Sequence, residues 1–197
     1  MTEQFVDITD DEVRPAGRRW LAGTPGWALL LLTAVTIGLT LIAWAVPGGW
    51  WRAQLAAGAA WGVLGLLWAV RLGFGLVLAR AEVRRRWPRW AVVPLAVAVT
   101  AALLATRTPI RIGVVLAGDD MRTFAQRPGS PQPQRVGPYR VAAAEHLPGG
   151  GARFLLRDSG FLDPSGFAFS PVGPPPMLGE DMYTPLGGGW YVWTQSW

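Results

Sequence analysis

The chain has 197 residues, of which 51% are hydrophobic and only 16% charged, a composition too apolar for an ordinary soluble globule. It has no cysteine, which excludes a disulfide framework, a thiolate metal site and a cysteine nucleophile, and its one histidine excludes a multi-histidine metal site. All 18 basic residues are arginines spread along the chain, so the net charge of +5 does not indicate nucleic-acid binding. We expect a membrane protein without a cofactor, a metal or a nucleic-acid partner.

Three apolar runs in the first half predict transmembrane helices, at residues 27–46, 53–79 and 90–106. Each is long enough to cross a hydrocarbon core, which takes about 17–25 apolar residues. A cleavable signal peptide is a poor interpretation of the first run, because acidic residues precede it and it is too long for a signal-peptide core. The sequence therefore predicts a cytoplasmic segment at 1–26, a three-helix membrane region at 27–106 and an extracytoplasmic domain at 107–197.

The distribution of arginines predicts the orientation of these helices. Three arginines precede the first run, one lies between the first and second runs, and five lie in the loop RAEVRRRWPR before the third. Because cytoplasmic loops carry the excess of positive charge, we expect the N-terminus and this loop inside the cell membrane and residues 107–197 outside it. Arg84, Arg85 and Arg86 are expected to attract anionic lipid headgroups, each by about 1 kcal/mol. A docking site for a cytoplasmic partner is the alternative.

Arg71 is a charged residue inside the second apolar run, a costly position that indicates function by default. None of the three runs contains an acidic residue to pair with it. Arg71 either snorkels toward the cytoplasmic headgroups beside Trp68, or contacts a lipid phosphate or an acidic group of another subunit. Gly58 and Gly62 are small residues at a spacing that lets another transmembrane helix approach closely. The other subunit would then be a membrane-protein partner or a second copy.

Beyond residue 107 the periodicity changes and predicts a small α+β domain with an antiparallel sheet. Alternating apolar residues at 110–116 predict a strand, and Gly118-Asp119-Asp120 predicts a short helix after it. Strand-like runs at 139–147 and 152–158 flank a Pro-Gly-Gly-Gly turn, which predicts a hairpin in which Leu147 faces Ala152.

The stretch SGFLDPSGFAFSP at 159–171 combines an acid, three serines and three phenylalanines. Asp163-Pro164-Ser165-Gly166 has the residue preferences of a type I turn, which predicts a structural corner with the phenylalanines facing a core. Catalysis by Ser159 or Ser165 would need an activating base, and no feature of the sequence brings His146 near either serine.

The rest of the chain consists of a proline- and glycine-rich segment and an aromatic ending. Residues 170–189 are rich in proline and glycine without a regular period, which predicts an irregular excursion or a binding loop. The ending WYVWTQSW predicts a strand that closes the sheet, with a ligand platform as the alternative. The pairs Asp119-Asp120 and Glu180-Asp181 have the residue types of a cation site, but a helix cap and a solvated loop explain them better, so no metal site is predicted.

The second half of the chain resembles a family of small uncharacterised actinobacterial multi-pass membrane proteins with a Gly/Pro/Trp-rich extracytoplasmic domain. The resemblance rests on four segments: RTPIRIGVVLAGDDMRTFAQ, VGPYRVAAAEHLPGGGARFLL, GFLDPSGFAFSPVGPPP and PLGGGWYVWTQSW. It implies a location in the cell envelope, and it carries no functional residues over to this chain.

Two classes of function agree with these patterns. The first is a non-catalytic integral membrane protein whose outer domain is an interaction or assembly module in the cell envelope. The second is an envelope enzyme that acts on a lipid or cell-wall substrate. The lack of a paired acid and base motif favours the first class.

Overall fold

The computed structural model describes residues 26–125, 134–147, 149–157, 159–160, 163–177 and 179–195. The helices are α1 (Trp27–Ala43), α2 (Trp51–Leu78), α3 (Arg80–Arg85), α4 (Trp87–Ala105) and α5 (Thr108–Ala125). The strands are β1 (Gln134–Val136), β2 (Tyr139–Leu147), β3 (Gly151–Leu156), β4 (Ser165–Phe169), β5 (Asp181–Gly187) and β6 (Trp190–Gln195). The chain is therefore a set of apolar helices followed by a helix-and-sheet domain, as the sequence predicts. Nearly all of the predicted segment 1–26 lies outside the described residues.

Two of the helices are long and apolar enough to cross a membrane. They are α2, with 28 residues, and α4, with 19, whereas α1 is apolar but has only 17. Their hydrophobic side chains are largely exposed, for example Leu66 at 66% and Val77 at 81%. Exposed apolar surface of this kind suits a lipid environment, where burial of such side chains within the protein is not required.

Polar side chains join the apolar helices to one another. Thr40 on α1 accepts a hydrogen bond from the indole Nε1 of Trp61 on α2, at 2.9 Å. The hydroxyl of Thr40 itself donates to the carbonyl of Thr36, one turn back. Thr36, Thr40 and Trp61 thus satisfy their polar groups inside the bundle, as apolar surroundings require.

The predicted strand at 110–116 is wrong, because residues 108–125 form a single helix, α5. One side of α5 packs into the core of the sheet domain through Val114, Ala117, Met121 and Phe124, at the spacing of a helical face. The opposite side of α5 also carries apolar residues. Together, the apolar residues of the two sides produce the alternating pattern that predicted a strand. The packing of α5 against the sheet therefore selects the helix over the strand.

The sheet has six strands in the order β1-β2-β3-β4-β6-β5, and every neighbouring pair is antiparallel. The hairpin of β2 and β3 is confirmed, but Leu147 pairs with Gly151 rather than with Ala152. A bulge between Val141 and Ala143 then turns Val141 back to the face that packs on α5, where it meets Leu156. A pleated strand without this bulge would place Leu147 and Val141 on the same face.

The proline-rich excursion contains a strand that the sequence did not predict. Residues 181–187 form β5, which pairs with β6 at the edge of the sheet. The edge position tolerates Pro185, since proline lacks the N–H that an interior strand would need, and a register shift follows it. The predicted closing strand, β6, is confirmed and lies between β4 and β5.

The sheet domain packs directly on the loop between α1 and α2. Val46 of this loop is 2% exposed and belongs to the same core as α5 and the sheet. The backbone N–H of Gly160 donates to the carbonyl of Gly49, at 3.0 Å. The membrane-type helices and the sheet domain therefore share a packed junction.

Candidate functional site

Trp68 and Arg71, the residues predicted to contact a partner or lipid, both take part in packing within the chain. Trp68 donates from Nε1 to the carbonyl of Trp90 on α4, at 3.0 Å. Arg71 is only 9% exposed, so the chain itself covers its side chain. Gly75, one turn further, contacts α3 and α4, because a Cβ there would lie 2.9 Å from Val83. Contact between Arg71 and another molecule stays a prediction.

The predicted cytoplasmic arginines lie in α3 and just after it. Glu82 forms ion pairs with Arg85 at 3.1 Å and with Arg86 at 2.5 Å, while Arg84 is exposed. Glu82 thus offsets part of the positive charge that the loop offers to lipid. Attraction of anionic headgroups by this loop also stays a prediction.

The stretch at 159–171 serves as a corner, although its turn is not where the sequence predicts it. Ser165 and Gly166 already belong to β4, so the predicted type I turn at Asp163–Gly166 does not form, and Phe161 lies outside the described residues. Phe167 is fully buried and Phe169 packs beside it, as predicted. Ser159 donates to the carbonyls of Leu156 and Ser165, at 2.9 and 2.6 Å.

His146 does not meet either serine of the corner. It pairs in register with Ala152 of β3, which in turn pairs with Phe169 of β4. Ser165 lies four residues along β4 from Phe169, about 13 Å away at the rise of a strand. The described residues therefore bring no base to the serines, and they contain no group of three or more metal-ligating side chains.

An ion-pair cluster covers the face of the sheet opposite α5. The carboxylate of Asp181, on β5, is buried and pairs with Arg153 of β3 and with the indole Nε1 of Trp193, the latter at 3.0 Å. Arg153 also pairs with Glu145 at 2.5 Å and stacks over the ring of Trp193, with its Cζ 4.5 Å from the centroid. Every charge here has a partner, so the cluster closes the sheet rather than offering a reactive group. The interpretation of Asp181 as part of a solvated loop is therefore wrong, because the residue is buried at the start of β5.

The pKa values in this cluster follow from its burial and its charges. Burial alone would lower the pKa of Arg153, but its hydrogen bonds and the negative charges of Glu145 and Asp181 outweigh burial and raise it. Burial raises the pKa of Tyr183, whose hydroxyl faces Asp181. Arg153 therefore stays a cation and Tyr183 stays neutral at physiological pH.

A second group of charged residues, all arginines, lacks the ion pairs of this cluster. A cavity of about 400 Å³ opens at the junction between the start of α2 and the sheet. Arg52, Arg135, Arg140 and Arg157 line it, together with Trp50, Trp51 and Tyr139. We call it the arginine pocket. No carboxylate among the described residues forms an ion pair with any of these four arginines.

The fold brings the pocket together from distant parts of the chain. Arg135 and Arg140 flank a tight turn at Gly137-Pro138 and pair directly across β1 and β2. The backbone N–H of Arg157 donates to the carbonyl of Arg140, at 2.8 Å, which adds a third arginine in line. Arg52 comes from the first turn of α2. The one sequence signal was the segment RVGPYR, which has the form of a hairpin turn flanked by arginines.

No protein-family model, curated protein or solved structure matches this chain. The resemblance to actinobacterial membrane proteins therefore stays a prediction. The function is inferred from the geometry of the described residues.

Proposed function

We propose that the protein is a three-span integral protein of the cell membrane, with its N-terminus inside and its sheet domain outside. In this proposal the outer domain is a non-catalytic interaction or assembly module. The exposed apolar face of α5 is the observation that carries it.

The contact between the sheet domain and the loop at 44–50 supports the topology. Residues in contact must lie on one side of the membrane, and α2 and α4 are the two apolar helices between the loop and the domain. Two crossings return the chain to the side where it started, so the RAEVRRRWPR loop falls on the opposite side. The excess of arginine in that loop then favours the cytoplasm for it and the exterior for the domain.

An apolar face on α5 supports the role in interaction. Ile112, Val115 and Leu116 recur at helical spacing on the side turned away from the sheet, and they are 54%, 82% and 73% exposed. Contiguous exposed apolar residues on a water-facing domain are typical of protein or membrane contacts. Because α5 follows α4 after a short turn at Thr106 and Arg107, this face starts near the membrane surface, where a membrane-protein partner or a second copy can reach it.

The polar groups of the domain support the absence of catalysis. The hydroxyl of Ser165 is buried and donates to the carbonyl of Asp163, at 3.2 Å, and Ser159 likewise bonds to the backbone. Within the described residues, the buried acid Asp181 is held by Arg153 and Trp193. An enzyme would need at least one such group free to act on a substrate.

To test this proposal, the full-length protein is purified in a mild detergent, and the mass of the intact complex is measured by native mass spectrometry. We expect a complex that contains a second copy or a stoichiometric membrane protein, and we expect Val115→Ser with Leu116→Ser to release it. Val172→Ser is the matched control, since Val172 is also 82% exposed on the outer domain but lies in a loop. A monomer with nothing bound, or a complex that the double variant retains, contradicts the proposal.

A further inference from the structure

We propose that the arginine pocket binds the phosphate of an anionic lipid headgroup in the outer leaflet of the membrane. This inference rests on the proposed function, because it needs the junction between α2 and the sheet to lie at the outer membrane surface. It adds a ligand site and a ligand class to that function.

The charges of the pocket call for an anion. Arginine keeps its charge at any physiological pH, so the four side chains contribute four positive charges. Arg135 and Arg140 are directly opposed across two strands, an arrangement that destabilises a sheet when the charges are alike. Arg157, directly after β3, extends the row through its backbone hydrogen bond to Arg140. A phosphate between these guanidinium groups would turn repulsion into several charge-assisted hydrogen bonds, and guanidinium matches the paired oxygens of a phosphate.

The start of α2 adds to this positive field. Its N-cap residue, Trp50, makes no side-chain capping bond, and no acidic residue lies in its first turn. The first residues of the helix, Trp51, Arg52 and Ala53, line the pocket, so the positive end of the helix dipole lies at its wall. The helix end alone would not define a site, but here it reinforces four arginines.

An apolar groove below the pocket favours a lipid over a free phosphate. Ala53 lines the arginine pocket, and Ala57, one turn further along the same side of α2, lines a groove of about 330 Å³. The two alanines are about 6 Å apart along the helix axis. Trp61 and Gly65 continue the groove along α2, and Val97 and Leu104 of α4 form another wall. A headgroup above and an acyl chain below fit this order of polar and apolar surface.

The tryptophans at the pocket agree with a site at the membrane surface. Trp50 and Trp51 line the pocket, and Trp44 lines the groove just below it. Tryptophan is enriched at the level of the lipid headgroups, because its ring is apolar and its N–H is polar. All four arginines are exposed, and Arg135, Arg140 and Arg157 come from the sheet domain, so these three reach the phosphate layer from the water side.

The experiment titrates the full-length protein in neutral detergent with phosphatidylglycerol, and separately with phosphatidylcholine. Native mass spectrometry counts the bound lipids, and thermal unfolding reports stabilisation. We expect one phosphatidylglycerol to bind at least about ten-fold more tightly than phosphatidylcholine, whose choline cation the arginines repel. Arg140→Gln with Arg157→Gln should weaken that binding by about ten-fold or more, since two charge-assisted contacts are lost.

The control removes the same charge from the same side of the membrane. Arg107→Gln with Arg111→Gln changes two exposed arginines at the junction of α4 and α5, which line no part of the pocket. This variant should keep phosphatidylglycerol binding within about two-fold, a difference well below the 1.4 kcal/mol of a ten-fold change. The pocket variant should unfold without lipid at the same temperature as the natural protein or higher, because the opposed charges no longer repel.

Three outcomes overturn the inference. They are equal binding of the two lipids, unchanged binding by the pocket variant, and displacement of the lipid by millimolar inorganic phosphate, which would make free phosphate the ligand. The detergent assay does not depend on orientation, so its failure leaves the interaction module intact. A reversed topology would instead contradict the proposed function while the lipid titration still reports on the pocket.

Discussion

The hydroxyl of Tyr139 donates a hydrogen bond to the carbonyl of Ala45, across 3.3 Å between the sheet domain and the end of α1. The two residues are 94 positions apart in the chain. Tyr139 is 3% exposed and its ring packs on Phe167, with 5.1 Å between the ring centroids. Gly113 of α5 leaves room for the hydroxyl, because a Cβ at that position would collide with it. One tyrosine thus joins the loop after α1, helix α5 and the sheet.

Tyr139→Phe should make the protein more resistant to alkali. Burial raises the pKa of Tyr139 to about 12 from 10.0, so ionisation is harder in the folded state than in the unfolded state. The stability that this difference provides is present below pH 10 and is lost as the pH rises toward 12, up to about 3 kcal/mol. The phenylalanine variant should lose about 1 kcal/mol at neutral pH through the missing hydrogen bond, but its stability should fall less between pH 10 and 12. Unfolding curves at several pH values measure both effects, and parallel pH profiles for the two proteins would contradict the prediction.

Gly113→Ala should destabilise the protein although alanine favours helices. In an open helix the change would stabilise by about 1 kcal/mol, but here the new methyl group meets the Tyr139 hydroxyl. Overpacking of this kind costs about 1–3 kcal/mol. In a double-mutant cycle, Tyr139→Phe should recover part of that loss because it removes the atom in collision. Additive effects of the two changes would mean that the residues do not touch.

Gly166→Ala should disrupt the pairing of β3 and β4. Gly166 does not have a positive φ, but a Cβ there would collide with the carbonyl of Phe154 on the neighbouring strand. A backbone atom cannot move aside cheaply, so we expect a loss of about 2 kcal/mol or more in the free energy of unfolding. Ser165→Ala is the control and should cost at most about 1 kcal/mol, the value of its one hydrogen bond to the backbone. A Ser165→Ala protein that folds normally but loses its biological function would favour the enzyme interpretation instead.

Asp181→Ala should be among the most destabilising single changes in the sheet domain. The change leaves Arg153, whose side chain is 17% exposed, with the exposed Glu145 as its remaining ion-pair partner, and it also leaves the indole of Trp193 unsatisfied. Removing one partner of a buried ion pair costs about 3–5 kcal/mol. Glu145→Gln is the matched control and should cost less than about 1 kcal/mol, because the side chain of Glu145 is 58% exposed. Similar losses for the two variants in chemical denaturation would contradict the distinction.

Single cysteines should report the topology without interference, because the chain has none of its own. Val172→Cys lies on the sheet domain and Ala81→Cys in α3, and both positions are exposed. A membrane-impermeant maleimide applied to intact cells should label the first variant, and it should label the second only after permeabilisation. Labelling of the Ala81 variant in intact cells would overturn the orientation.

The sequence by itself determined the features that depend on composition and local pattern. The apolar runs around Leu64 and Val93 identified the long helices, because a span is defined by length and hydrophobicity alone. The hairpin around Gly149 and Gly150 followed from turn residues between alternating strands, and both glycines do have positive φ.

The tertiary structure decided the features that depend on which surface a segment meets. Residues 108–125 are apolar on two sides, and only packing of Met121 against the sheet selects a helix over a strand. Pro185 argues against a strand until β6 supplies an edge at which its missing N–H does no harm. The arginine pocket exists because folding brings Arg52 beside Arg140, and no local pattern encodes a contact across so long a stretch of chain. Local preferences for helix or strand are weaker than the free energy of burying a whole apolar face. Tertiary packing therefore determines the structure at these positions.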